Sequence, residues 1–173
     1  MTARPLRGDD AGRADWLAVA DQLVTPGRAL SDFRHGEFFD ALVLLHLGRA
    51  EEAVRLLATP PEEFRAWHNG LWRPWYAALW AEAAVLSGAP DAASRIGRAR
   101  LSAAGNPVAL AIADRAAALV SGDRDGLLAA AQRLSAAGCR YQHARTLVLA
   151  GGPEQAAGED ELAAMGATPM AVP

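Results

Sequence analysis

Ser87-Gly88-Ala89-Pro90-Asp91-Ala92-Ala93 closes one apolar, alanine-rich run and opens a second. Glycine can end a helix in a left-handed cap, and a small residue shortly afterwards lets the returning helix pack closely against the first. The same punctuation recurs in Leu47-Gly48-Arg49-Ala50-Glu51-Glu52-Ala53, in Ser121-Gly122-Asp123-Arg124-Asp125-Gly126-Leu127 and in Ala150-Gly151-Gly152-Pro153-Glu154-Gln155-Ala156. In each, a small or apolar residue stands five positions after the glycine, and the glycines are 40, 34 and 29 residues apart. The sequence thus writes the turn of a helical hairpin four times.

Working outward, every intervening segment carries helical periodicity. Trp16, Leu17, Ala20, Leu23 and Val24 share one helical face from Arg13 to Val24, which Thr25-Pro26-Gly27 stops. Ser31 or Asp32 is placed to cap a second helix running through Phe38 and Leu42 to Leu47. Glu51 to Leu57 forms a third, broken by Thr59-Pro60-Pro61, with Glu51 and Arg55 in favourable order. Pro74 suits the first turn of a helix reaching Leu86, and the next runs from Asp91 to about Ala104 with Asp91 paired to Arg95. Pro107 to Val120, Asp123 to about Gly138, Tyr141 to Ala150 and Pro153 to Met165 complete the series. No alternating β pattern appears. The expected fold is all-α: eight or nine short helices in about four antiparallel hairpins, one domain over residues 11–167 between a flexible lead-in (1–10) and an untethered tail (168–173).

Composition excludes more than it assigns. Half of the 173 residues are apolar, enough for one sizeable core. The net charge of −3 is too mild to call for nucleic acid or an acidic membrane as partner. All 17 basic residues are arginine, so no lysine amine is present for Schiff-base chemistry. The single cysteine, Cys139, makes neither a disulfide framework nor a thiolate cage, and a reduced, cytoplasmic setting is the expectation. No apolar run is long enough to span a bilayer.

The turn glycine with its following small residue resembles the tetratricopeptide repeat, over roughly Asp32 to Gly166. The position at which that family places a small residue in the first helix is Ala41, Ala81 and Ala144 in three hairpins but Arg115 in the other. The runs Trp75 to Gly88, Ala104 to Pro107, Arg115 to Leu119, Ala137 to Tyr141 and Gly166 to Pro169, in that order, look like the helical C-terminal regions of bacterial LuxR-type (MalT-like) ATPase transcription activators. In those proteins the solenoid follows an ATPase core and serves sensing or assembly. This chain carries no phosphate-binding loop and no convincing terminal helix-turn-helix. The resemblance implies a TPR-like α-α superhelix acting in bacterial transcriptional or signalling regulation.

No catalytic constellation is visible. His35, His46, His68 and His143 are too scattered for a metal pair, and neither a metal nor a cofactor is expected. Cys139 has Arg140 and His143 nearby but nothing to orient that histidine as a base. From Asp91 to Arg145 eight arginines face four aspartates, read as a solvated outer face. The aromatic stretch Trp67 to Trp80 is where two readings compete. Trp75, Tyr76 and Trp80 fall on one helical stripe that fits core packing. Trp67, His68, Asn69, Trp72 and Arg73 would cluster in a loop around Gly70, and with Trp75 and Tyr76 they form the candidate partner or ligand surface. The expected function is a non-enzymatic module contacting another protein or another domain of the same regulator, with self-association through a homodimer open. The alternative is an effector-sensing domain that binds a small molecule at residues 67–76. Direct nucleic-acid binding and membrane association are not expected.

Overall fold

A computed structural model of the chain describes residues 5–22, 35–63 and 69–172, with side chains described over 5–19, 38–63 and 72–172. The regular elements among the described residues are all helices, with no strand. A 3-10 turn at Pro5–Arg7 leads into α1 (Asp10–Gln22), followed by α2 (His35–His46), α3 (Ala50–Leu56), α4 (Asn69–Leu86), α5 (Ala92–Ser102), α6 (Pro107–Ser121), α7 (Arg124–Ala136), α8 (Arg140–Ala150) and α9 (Pro153–Ala164). Each helix from α1 to α9 packs on a neighbour in chain order, and α4 also packs on α6 and α2. The stop at Thr25-Pro26-Gly27 and the caps assigned to Ser31 or Asp32 lie outside the described residues. No described helix is long and apolar enough to cross a membrane.

The helix starts follow from local chemistry. Asn106 accepts from the Ala109 amide at 3.0 Å with Pro107 at the first helical position, where a missing N–H costs nothing. Asp123 accepts from the Gly126 amide at 2.9 Å. The ends are equally legible. At Gly122 (φ 65°, ψ 23°) the Asp123 amide reaches the Ala118 carbonyl at 2.9 Å and the Gly122 amide reaches Leu119, a Schellman closure. The same six-residue closure forms at Gly48, Gly88, Gly138 and Gly166.

The fourth hairpin turn differs from the other three. Gly151 (φ 65°, ψ −167°) and Gly152 (φ 66°, ψ −147°) sit in a region that only glycine occupies readily, so two glycines are required where one suffices elsewhere. The small residue five positions after the glycine is buried at Ala53 and Leu127 but exposed at Ala93 and Ala156. In the Gly88 turn the helix cap is Asp91, two residues later than in the Gly48 and Gly122 turns, and the buried alanine becomes Ala92.

Pro74 does not open its helix. α4 begins five residues earlier at Asn69, so the expected loop around Gly70 is helical from Asn69 onward. Proline in sixth position removes one helical hydrogen bond, to the carbonyl four residues back, and leaves a long helix with one open rung near its start. α4 is also the helix the rest surrounds. Tyr76, Leu79, Trp80 and Ala83 face α2 and α3, Ala77 and Ala81 face α5 and α6, and Ala78 faces α6 and α7. A helix that is apolar on most sides is a buried one, and the run of alanines in α4 lets several neighbours approach at once.

The chain after α9 is not an untethered tail. The Thr168 amide donates to the Leu6 carbonyl (2.6 Å), the Ala171 amide donates to the His46 carbonyl (3.1 Å), and Met170 is buried against α8 and α9. Pro5 is buried at the other terminus, so residues 5–7 and 167–171 meet beside the end of α2. Periodicity carries no signal for such contacts, because they use backbone groups of non-helical segments.

Candidate functional site

Of the residues proposed from sequence as a binding surface, Trp67 and His68 lie outside the described residues, and Asn69 starts α4 without a described side chain. Trp72 is half-buried and meets Phe38 and Phe39 edge-on, with ring centroids 5.8 and 6.2 Å apart. Trp75 is half-buried where two parts of the core join. Tyr76 is buried, and its hydroxyl donates to the Thr59 carbonyl at 2.7 Å. Arg73 keeps its Nε buried without a hydrogen-bond partner. Trp80 is buried beneath the guanidinium groups of Arg95 and Arg98, 4.5 and 4.8 Å from its ring. From Trp72 onward the stripe therefore serves largely as packing. A shallow cleft of about 330 Å³ lies elsewhere, lined by Arg49, Glu52, Arg55 and Ser87 among others.

The group that sequence reasoning did not assemble sits at the centre of the helices. Glu82 of α4, Arg115 of α6 and Arg145 of α8 are all wholly buried. Arg115 Nη2 donates to Glu82 Oε2 at 2.7 Å, and Arg145 Nη1 donates to Glu82 Oε1 at 2.6 Å. Arg115 Nη1 donates in addition to Gln142 Oε1 (2.9 Å) and Thr146 Oγ1 (2.8 Å), and Thr146 in turn donates to the Gln142 carbonyl (2.6 Å). One carboxylate thus ties three helices that are 33 and 30 residues apart along the chain at Arg115 and Arg145. A signal for it was present. Arg115 occupies the position taken by Ala41, Ala81 and Ala144 in the other hairpins, all three of which are also fully buried.

The electrostatics are unbalanced. Burial alone raises the pKa of Glu82, but the two guanidinium charges and their hydrogen bonds outweigh it and hold the carboxyl below its ordinary range. Arginine stays protonated in any such setting. Two buried cations therefore share one anion, while Arg115 Nε and Arg145 Nε and Nη2 find no partner.

Beside this cluster, His46 is fully buried at the end of α2. Its Nε2 lies 2.9 Å from the Thr168 carbonyl and its Nδ1 lies 3.1 Å from the Tyr141 hydroxyl. In either protonation state Nε2–H donates to Thr168; the Tyr141 hydroxyl donates to Nδ1 of the neutral imidazole or accepts from Nδ1–H of the imidazolium. Burial, together with the nearby charge of Arg145, lowers the His46 pKa against the opposing Thr168 bond. Burial also pushes the Tyr141 phenol up to about 12.

The chain matches no family model, no curated protein and no solved structure. What it does must be read from its own residues.

The other candidates take ordinary places. Burial pushes the Cys139 thiol up, away from a thiolate nucleophile, and His143 pairs with Glu161 at 2.9 Å. Among the described residues no three His, Cys, Asp or Glu side chains gather to hold a metal. All eight arginines from Arg95 to Arg145 reach a carboxylate. Four of these partners, Glu62, Glu82, Glu154 and Glu161, lie outside the Asp91–Arg145 window, so counting charges within it overstated the basic excess.

Proposed function

We propose that this chain is a non-enzymatic helical-repeat module, TPR-like in architecture, through which a bacterial regulatory system makes protein–protein or interdomain contacts. The single observation that carries this reading is the recurring hairpin. The Gly48, Gly88 and Gly122 turns share one closure, and Ala41, Ala81 and Ala144 are each fully buried. Repeats of this kind bury their apolar faces on one another and leave the outer faces for recognition. The inner faces of α4, α6 and α8 are filled by the Glu82 cluster, so a partner reads the outer helical faces rather than an open groove at that level.

The test is site-specific photo-crosslinking in the source cell, with the reactive group placed in turn on exposed positions of α5, α7 and α9. Any captured protein is then purified and titrated by calorimetry. The reading expects one protein or one domain to recur from a contiguous face and to bind when purified. Turnover of a metabolite, or saturable quenching of tryptophan fluorescence by a small molecule with no protein captured, would overturn it.

A further inference from the structure

The non-helical segment after α9 crosses the end of α2, and one histidine grips it twice. His46 Nε2 meets the Thr168 carbonyl at 2.9 Å, and the His46 carbonyl accepts from the Ala171 amide at 3.1 Å. Thr168 in turn holds the N-terminal turn, its amide and hydroxyl both donating to the Leu6 carbonyl at 2.6 and 3.1 Å. Between these bonds Met170 is buried against the cluster of Ala144, Val148 and Leu162. Pro169, Ala171 and Val172 are exposed, so the segment is a single layer over a fully buried imidazole. A cover held by a few hydrogen bonds and one buried side chain opens locally at less cost than the helices beneath it.

What lies beneath the segment makes it sensitive to a proton. When His46 takes one up, Nδ1 becomes a donor and the Tyr141 hydroxyl must accept, so the phenol proton loses the acceptor it has in the neutral form. The new charge also finds no free counter-charge. From α8 it meets Tyr141 and the cation of Arg145. Glu82 of α4 is already shared by Arg145 and Arg115. On α2 itself Asp40 is taken by Arg13 of α1, and Glu52 of α3 is taken by Arg49. Glu51 and Arg55 of α3 line the separate cleft beside Ser87. Arg7 of the N-terminal turn, beside Gly166, is another cation, and residues 167–172 carry no titratable side chain. A buried charge without a partner is costly, and lifting the segment gives the ring water instead.

We propose that residues 167–172 form an acid-released latch: protonation of His46 frees this segment and, through Thr168, the N-terminal turn, while the helices beneath stay folded. The sign follows from linkage. The docked form holds the His46 pKa below its ordinary value, so it binds fewer protons than the released form, and falling pH favours release. Opening is therefore independent of pH well above about 6.5 and grows by up to about ten-fold per pH unit below it. The latch does not depend on any partner of the outer helical faces.

The test is amide exchange of the full chain by NMR, with each rate divided by its intrinsic rate at that pH to give an opening constant. Between pH 7.5 and pH 5.5 the constants of Thr168 and Ala171 should rise about three- to ten-fold. Those of Asp123 and Cys139, whose amides close other turns, should stay within about two-fold. His46→Gln keeps a donor for Thr168 but has no proton to gain, and it should abolish the rise. Because a buried variant can fail to fold, Met170→Ala is the second arm. It weakens the segment away from the ring, and by reciprocity it should raise both the Ala171 opening constant and the His46 imidazole midpoint. An Ala171 constant that ignores pH, or that rises only in step with Asp123, overturns the proposal. So does an equal rise in a folded His46→Gln, or an Ala171 amide loosened by Met170→Ala with the His46 midpoint unmoved.

Discussion

Replacing Glu82 by glutamine removes one formal charge and changes almost no volume, yet it should be among the most damaging single changes available to this protein. Two guanidinium groups bond the carboxylate at 2.6 and 2.7 Å in a fully buried setting. With charge centres near 4 Å and an effective dielectric of about 20, each attraction is worth about 4 kcal/mol. Part is offset because a glutamine no longer desolvates a carboxylate, but the two arginines stay, and the buried positive excess doubles. Breaking a buried ion pair from one side costs about 3–5 kcal/mol, and that is the expected loss. For a chain of this size it lowers the melting temperature by about 10 °C. Urea unfolding followed by circular dichroism and tryptophan fluorescence measures it directly. Arg145→Met is the control, since it removes the unmatched cation and leaves Glu82 paired with Arg115. It should cost less than half as much. A Glu82→Gln loss under about 1 kcal/mol, or an Arg145→Met loss equal to it, would refute the reasoning.

Other outcomes follow from single contacts. Because the Glu82 pKa is held down in the fold, its stabilisation is present above the unfolded value of about 4.3 and drains away as pH falls through the folded value. Glu82→Gln should therefore flatten the acid limb of a stability–pH curve. His46 has a lowered pKa, so the unfolded chain takes up its proton first and stability should fall as pH drops below about 6.5. His46→Gln should remove that slope. Deleting residues 168–173 uncovers His46, and imidazole NMR should show its pKa moving up toward about 6.5. Gly158→Ala would push a methyl to 2.6 Å from the Ala144 carbonyl of α8 and should cost about 1–3 kcal/mol, whereas Gly97→Ala meets nothing within 4 Å and should gain about 0.5–1 kcal/mol. Chemical denaturation of the two glycine variants side by side checks both signs.

What could be read from the sequence depended on whether the signal was local. The starts of α6, α7 and α9 were legible because Pro107, Asp123 and Pro153 act on their own helix, and so was the Asp91–Arg95 pair at 2.9 Å. Pro74 misled for the same reason: its preference for a first turn is local, and the packing of α4 against its neighbours overrode it. The Ala93 register failed because two extra turn residues displaced the cap to Asp91. The buried cluster was the least legible feature. α8 buries Gln142, Arg145 and Thr146, so its inner face is polar and its hydrophobic pattern carries little information. Only the misplaced Arg115 hinted that an ion cluster stood where the other hairpins have alanine.

Hydrogen exchange read by mass spectrometry tests the central claim most directly, namely that one buried carboxylate couples α4, α6 and α8. In an array whose repeats touch only their neighbours, a local lesion loosens local helices. Here Glu82→Gln should speed exchange in α4, α6 and α8 together and by similar factors, although the substitution lies in α4 alone. Faster exchange confined to α4 and the helices beside it, with α8 as protected as in the wild type, would contradict the account.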